Sequence, residues 1–242
     1  MVDLEQQLQK KTFLLHHYPI FNSKSLLAVS LLKDEIPYPK SKDNNWPNFL
    51  SEVKEAFNLQ SIVFVNQVHG NQVMAAKNVH TDLFLGDADG LITNCKGLGL
   101  IVFHADCQAG FFYDPIQSVC ALVHAGWRGQ LKGIYTNAIK KMVEDYGSNP
   151  RDIQAAISFG LCQDHSEFIN YKTEFPENMW RYKDERNHFD LKKMTFDQLV
   201  DLGLIKENIM VNTDCTYENP EIFYSFRRNK TKVHHISLVA LR

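Results

Sequence analysis

Three apolar runs in this 242-residue chain end on side chains able to bind a metal ion. Ser61 to Val65 leads into Asn66-Gln67-Val68-His69-Gly70, Gly99 to Phe103 into His104-Ala105-Asp106-Cys107, and Ala121 to Val123 into His124-Ala125-Gly126-Trp127-Arg128-Gly129. A catalytic zinc takes three protein ligands from His, Cys and carboxylate and keeps a fourth position for water or substrate. His69, Cys107 and His124 would meet that count. Taken singly, each has a simpler reading, since a cysteine after an apolar strand is more often a small core residue than a ligand. His104 competes with Cys107 only if both face the same way. Extended chain puts Ala105 and Cys107 on one side and His104 and Asp106 on the other. His104 therefore reads as supporting a ligand from behind or as packing, and Asp106 as orienting a ligand or a neighbouring backbone. His16, His17, His80, His165, His188, His234 and His235 lack such a context and read as surface or internally satisfied residues.

The elements that must position these residues follow from pattern. Residues 33–48 concentrate proline, asparagine and charge and predict a loop, after which Phe49, Leu50, Val53 and Phe57 recur at helical spacing. Ile62 to Val65 predicts a strand, with Val73 to Ala76 returning beside it and His69-Gly70-Asn71 as the turn. Leu98 to Phe103 reads as a strand buried on both faces, and Gly110 to Tyr113 with Val119 to Val123 as a hairpin around Asp114-Pro115. Leu131, Ile134, Ala138, Met142 and Val143 mark one face of a helix that Gly147 and Pro150 stop. Ile153 to Phe159 predicts a strand, Asp190 starts a helix through Leu202, and Ile209 to Val211, Ile222 to Phe226 and Val233 to Leu241 predict closing strands. Helices and strands mix without strict alternation, which supports α+β with largely antiparallel pairing.

Composition narrows the class. The 44% hydrophobic and 12% aromatic content supplies one large core, so a single domain spanning 1–242 is expected. With 26 basic against 28 acidic residues, net charge −2, nothing favours nucleic acid or an anionic membrane as partner; a small molecule is expected. Met1 to Lys11 lacks the apolar segment of a secretory signal, and no run is long enough to cross a bilayer, so a cytoplasmic protein is expected. Five cysteines at irregular spacing predict reduced thiols, one of them a ligand, and no paired Cys-x-x-Cys zinc knuckle.

The words Gln67-Val68-His69-Gly70, Ala105-Asp106-Cys107 and His124-Ala125-Gly126-Trp127-Arg128-Gly129 resemble, in this order, the YfiH-like family. It is also called the multicopper polyphenol oxidase or laccase-domain family, or purine nucleoside phosphorylase. Gly86-Asp87-Ala88-Asp89-Gly90, Tyr113-Asp114-Pro115, Asp214-Cys215-Thr216 and Phe223-Tyr224-Ser225-Phe226-Arg227-Arg228 extend the likeness over roughly residues 60 to 230. The resemblance implies a single-domain, four-layer α/β/β/α fold with two mixed sheets, a metal site where loops converge between them, and His69, Cys107 and His124 as ligands. It further implies a zinc-dependent purine nucleoside phosphorylase acting on adenosine, inosine, guanosine or methylthioadenosine with phosphate, adenosine deamination beside it, and a monomer or small homo-oligomer.

On that reading Cys107, His124, Asp106 and Arg128 form the catalytic set, and Gln67, Asp89, Arg227 and Arg228 the substrate-binding set. Arg128 is the first candidate for a phosphate contact, because a planar guanidinium pairs two oxygens at once. Asp89 would hold a ribose hydroxyl or cap its own turn. Copper can occupy a His-Cys-His site, but a multicopper oxidase needs clustered histidines, and the chain has no His-x-His pair. Two other readings compete: a hydrolase editing a cell-wall precursor with Cys107 as nucleophile and His124 as base, and a non-catalytic, metal-stabilised binding protein. The chain also departs from the family's words. Leu26 to Lys33 stands where Thr-Thr-Arg-x-Gly-Gly is usual, His104 where Thr precedes Ala-Asp-Cys, Gln108-Ala109 for Leu-Pro, Gly160-Leu161-Cys162 for Gly-Pro-Cys, and Thr231-Lys232-Val233 for Thr-Gly-Arg.

Overall fold

The structure, a computed structural model, describes residues 13–34, 37–39, 43–77 and 79–242. The Met1 to Lys11 segment and part of the predicted 33–48 loop lie outside these residues. Among the described residues twelve strands make two sheets. The first has the order β1-β2-β12-β7-β3-β5, with β1 Leu15–His17, β2 Leu26–Leu31, β3 Ser61–Asn66, β5 Leu83–Asp87, β7 Leu98–His104 and β12 His235–Leu241. The second has the order β11-β10-β8-β9-β6-β4, with β4 Val73–Ala75, β6 Gly90–Thr93, β8 Gln108–Asp114, β9 Val119–Ala125, β10 Gln154–Ile157 and β11 Ile209–Val211. In the first sheet β3 runs parallel to β5 and β7; in the second β4 runs parallel to β6 and β10 to β11. The other neighbours are antiparallel, so both sheets are mixed and largely antiparallel as expected.

Period-two alternation builds the layers. Leu98, Leu100 and Val102 of β7 face the second sheet and pack with Val63, Phe111, Leu122 and Val239, while Ile101 points outward. There it meets α1, Trp46–Phe57, which buries Trp46, Phe49, Leu50, Val53 and Phe57 at helical spacing. On the far side α3, Ile134–Tyr146, covers the second sheet with Ile134, Tyr135, Ala138, Ile139 and Met142. The short α2, Trp127–Leu131, precedes it. A satellite cluster of Phe168, Phe175, Phe189 and Met194 takes Met194 from α5, Leu191–Asp201, and packs Tyr171 of α4, Tyr171–Glu174, against it. The last helix, α6, is Phe226–Asn229. Helix, sheet, sheet, helix is the four-layer arrangement.

Three sequence expectations are corrected. The 33–48 loop ends earlier than expected, because Pro47 at the first turn suits a helix start and α1 begins at Trp46. Val73–Ala75 does not fold back on β3: it pairs with β6 in the other sheet, so residues 67 to 72 cross between sheets instead of making a hairpin tip. Ile222 to Phe226 forms no strand, because Ser225 Oγ accepts the Arg228 N–H and caps α6. Among the described residues no helix is long and apolar enough to cross a membrane.

The intersheet core makes a direct prediction. Phe111 is fully buried and its ring lies 4.4 Å from that of Tyr18, so Phe111→Ala should cost about 3–5 kcal/mol in denaturant unfolding. Ile116→Ala, at an exposed turn, should change stability by no more than about 0.5 kcal/mol.

Candidate metal centre

The chain crosses from β3 to the second sheet at His69, whose φ of 56° is left-handed. Such a backbone is uncommon outside glycine and must be held by its surroundings. The holder is Asp89, which is fully buried. Its Oδ2 accepts the Val68 and Gly70 N–H groups at 3.2 and 2.6 Å, and its Oδ1 accepts the His69 N–H at 3.0 Å. The same Oδ1 lies 2.8 Å from Nδ1 of His124, at the end of β9. Burial alone would raise the Asp89 pKa, but the His124 and backbone bonds outweigh it and hold the carboxyl below its ordinary value. A carboxylate there fixes the proton on His124 Nδ1 and leaves Nε2 free to bind.

Cys107 lies in the turn between β7 and β8, so each of the three residues sits at a strand end or the loop just after it. The donor atoms of His69, Cys107 and His124 all lie within 4.8 Å of one another, and the two imidazoles stand edge to face with centroids 4.8 Å apart. Burial would raise the Cys107 thiol, yet His124 and then His69 draw its pKa down; burial would lower His124, yet Cys107 and Asp89 draw it up. A thiol inclined to lose its proton is in the form that ligates metal. His69 is exposed while His124 is 3% exposed, so the donor set opens to solvent on the His69 side.

Glycines let this closeness happen. A Cβ on Gly126 would come 2.8 Å from the His69 ring and 3.1 Å from Cys107 Sγ, and one on Gly129 would come 2.6 Å from the Gly70 carbonyl oxygen. Only glycine lets α2 approach the donors this closely. The donor chemistry, the oriented imidazole and the side-chain-free cradle all fit a divalent ion such as zinc.

A family model described as Multi-copper polyphenol oxidoreductase laccase matches residues 43–242. The chain belongs to this family, that of the YfiH-like proteins. Purine nucleoside phosphorylase YlmD of Bacillus subtilis is 35% identical over 201 residues, 74% of this chain and 71% of that protein. Purine nucleoside phosphorylase RP494 of Rickettsia prowazekii is 30% identical over 190 residues, 74% of this chain and 76% of that protein. Mouse Purine nucleoside phosphorylase LACC1 is 26% identical over 195 residues, which span 75% of this chain but only 44% of that longer protein. The crystal structure of the YfiH protein of Bacillus licheniformis superposes with a TM-score of 0.78 at 22% identity, covering 90% of this chain and 93% of that one. That of YlmD from Geobacillus stearothermophilus gives 0.77 at 23%, covering 93% and 94%. These likenesses establish the YfiH-like fold.

Around the three donors, the other residues expected in the site divide. Arg128 is exposed, its guanidinium lies 4.1 Å over the Trp127 ring, and no carboxylate pairs with it among the described residues. Asp106, at φ 87°, accepts Thr216 Oγ1–H at 2.6 Å on one oxygen and the Arg227 N–H of α6 at 2.5 Å on the other. It ties Thr216 and the start of α6 to the Cys107 turn.

Four substrate-contact expectations meet a different geometry. Asp89 is fully buried and both its oxygens are committed, so its carboxylate is not free for a ribose hydroxyl and braces the Val68–Gly70 crossover in place of its own turn. Gln67 exchanges two 2.7 Å hydrogen bonds with the Phe103 backbone, continuing the sheet ladder with its side chain. Arg228 donates to the carbonyl oxygens of Thr216, Tyr217 and Phe223 and is spent on backbone. Arg227 donates to the Glu167 carbonyl and lies over Phe168. His104 is buried and pairs with Ser237 Oγ at 2.8 Å, and it is not one of the three converging donors. His165 is the residue missed: it lies among Cys162, Cys215 and Glu218.

Asp89→Asn removes the charge that orients His124 and should weaken metal affinity on the order of 10–100-fold, measured by competition with a chromogenic chelator. Gly126→Ala should lower metal affinity in the same assay, with the far-ultraviolet circular dichroism of the fold retained.

Proposed function

We propose that this chain is a zinc-dependent purine nucleoside phosphorylase, with His69, Cys107 and His124 as the ligands. The observation that carries the reading is the convergence of these three donors around a buried carboxylate, in a chain whose relatives bear the name purine nucleoside phosphorylase. A bound zinc would supply Lewis acidity to an oxygen or nitrogen of the reactant. The protein's own groups do the rest. Asp89 keeps the proton at His124 Nδ1, so the imidazole presents Nε2. Asp106 pins the Cys107 turn through Thr216 and α6. Arg128, exposed and with no carboxylate partner among the described residues, receives phosphate in a two-oxygen clasp and holds it for attack at the anomeric carbon.

Zinc is favoured over a copper cluster by donor chemistry. Neither metal-capable group among the described residues offers more than two histidines, whereas a trinuclear copper site needs many. On this reading Cys107 is a zinc ligand, and a ligating thiolate cannot also be a free nucleophile.

Zinc-loaded protein given adenosine and phosphate should release adenine and ribose 1-phosphate, with no adenine formed when phosphate is omitted. Inosine as sole product would show deamination instead, and no product from any purine nucleoside would refute both. Arg128→Ala should lower kcat/KM for phosphate about 10–100-fold, the worth of a charge-assisted pair, while zinc content stays unchanged.

A further inference from the structure

A second cluster stands behind the first. Strands β10 and β11 run parallel, and beyond their ends Gly160 and Cys215 form one more parallel bridge, with the Thr216 N–H donating to the Gly160 carbonyl at 3.0 Å. The two chain segments thus leave the sheet side by side, each with the same kind of word: Cys162-Gln163-Asp164-His165 and Cys215-Thr216-Tyr217-Glu218. Each cysteine is followed three residues later by a second metal-binding side chain. Residues 163 to 165 form a turn of 3₁₀ helix that brings His165 back towards its cysteine, and the ring of Tyr217 stacks on His165 at 4.0 Å and 18°.

We propose that Cys162, His165, Cys215 and Glu218 form a second, four-coordinate zinc site. A tetrahedral zinc with sulfur at about 2.3 Å and nitrogen or oxygen at about 2.0–2.2 Å sets its ligand atoms roughly 3.3–3.8 Å apart. The measured separations are 3.2 Å from Cys162 Sγ to His165 Nδ1, 3.7 Å from Cys215 Sγ to His165 Nδ1, and 3.6 Å from Glu218 Oε1 to both Cys162 Sγ and His165 Nδ1. All four donor atoms lie within 4.8 Å of one another. Four of the six separations thus fall within or close to the range a tetrahedral zinc sets, and both cysteines are free thiols.

The surroundings suit ligating thiolates. The Cys162 N–H points at Cys215 Sγ at 3.2 Å, and Lys192 places its ammonium on the Asp214 carbonyl at 2.8 Å, beside Cys215. Two thiolates, a carboxylate and Zn²⁺ leave one negative charge, which this lysine offsets. Four protein ligands close the coordination shell, so the site is structural in kind, unlike the three-donor centre. Its position gives it a purpose. Leu161 donates its N–H to the Asp106 carbonyl at 3.2 Å and Thr216 bonds the Asp106 carboxylate, each one residue from a proposed ligand, while Asp106 adjoins Cys107. A metal joining Cys162 to Cys215 would make rigid the platform on which the Cys107 turn rests.

The test is zinc content of the full chain after loading with Zn²⁺ and gel filtration, which does not depend on catalytic activity. Wild-type protein should hold about two zinc ions, Cys107→Ser about one, and Cys162→Ser/Cys215→Ser about one. Cobalt loaded into Cys107→Ser should show sulfur-to-metal charge-transfer absorption, absent from a variant that also carries Cys162→Ser and Cys215→Ser. If the double cysteine variant does not fold, Glu218→Gln, at an exposed position, should still weaken the second zinc on the order of tenfold or more. About one zinc in the wild type with none left in Cys107→Ser, no thiolate absorption in cobalt-loaded Cys107→Ser, or a Cys162–Cys215 disulfide persisting in the zinc-loaded protein would each overturn the proposal.

Discussion

The buried carboxylate of Asp89 is the interaction on which the centre depends. It lies just before β6 and braces two segments at once: the crossover that carries His69 and the end of β9 that carries His124. Taking a carboxylate wholly out of water is costly unless its lone pairs are filled. Here three backbone N–H groups and one imidazole fill them, so the cost of burial becomes geometric definition. Without that anion the left-handed backbone at His69 would have no partner for its amides, and the His124 ring could turn over.

The two sheets explain why the donors meet where they do. Each sheet is rigid, but a loop passing between sheets is fixed only at its ends. Cys107 and His124 flank a hairpin within or beside the second sheet, and β8 and β9 hold them through a continuous antiparallel ladder in which Ala109 stands opposite His124. His69 arrives from the other sheet. Its placement therefore needs the carboxylate, the Gly129 approach to the Gly70 carbonyl, and the Asn71 side chain that donates to the Lys132 carbonyl at 2.6 Å.

Period and turn chemistry made most elements legible: α1, α3, α5, the β8–β9 hairpin and the buried β7 follow from the spacing of apolar residues. Pattern does not say which sheet a strand joins, which is why Val73–Ala75 reads as a partner of β3 yet pairs with β6. Short edge strands such as β1 and β5 bury too little to show a clean alternation. In the site, the three donors stood out because each ends an apolar run, whereas Gln67, Asp89 and Arg228, also in words of the family, serve the backbone and, for Asp89, the His124 ring. Buried amides and carbonyls must find partners, and polar side chains beside an active centre are often taken by that need. The Cys162 and Cys215 words lie some fifty residues apart, and only the parallel pairing of β10 and β11 makes them neighbours; the matching three-residue offset from each cysteine to His165 and Glu218 is the signal in the sequence that could have found them.

The departures from the family's words fall on the supporting wall more than on the donors. His104 replaces a threonine but turns inward to Ser237, against Phe159 and His235. Gln108 accepts from Tyr135 and Thr195, joining β8 to α3 and α5. Leu26–Leu31, where an arginine and glycines are usual, is a fully buried strand between β1 and β12 and presents no guanidinium. Arg228 is held by three carbonyls and Arg227 by one. Among these candidate arginines, Arg128 alone lies exposed beside the donors with its guanidinium uncommitted to backbone, so in the proposed reaction the recognition of phosphate falls to a single residue fixed at the start of α2 by the two glycines that flank its turn.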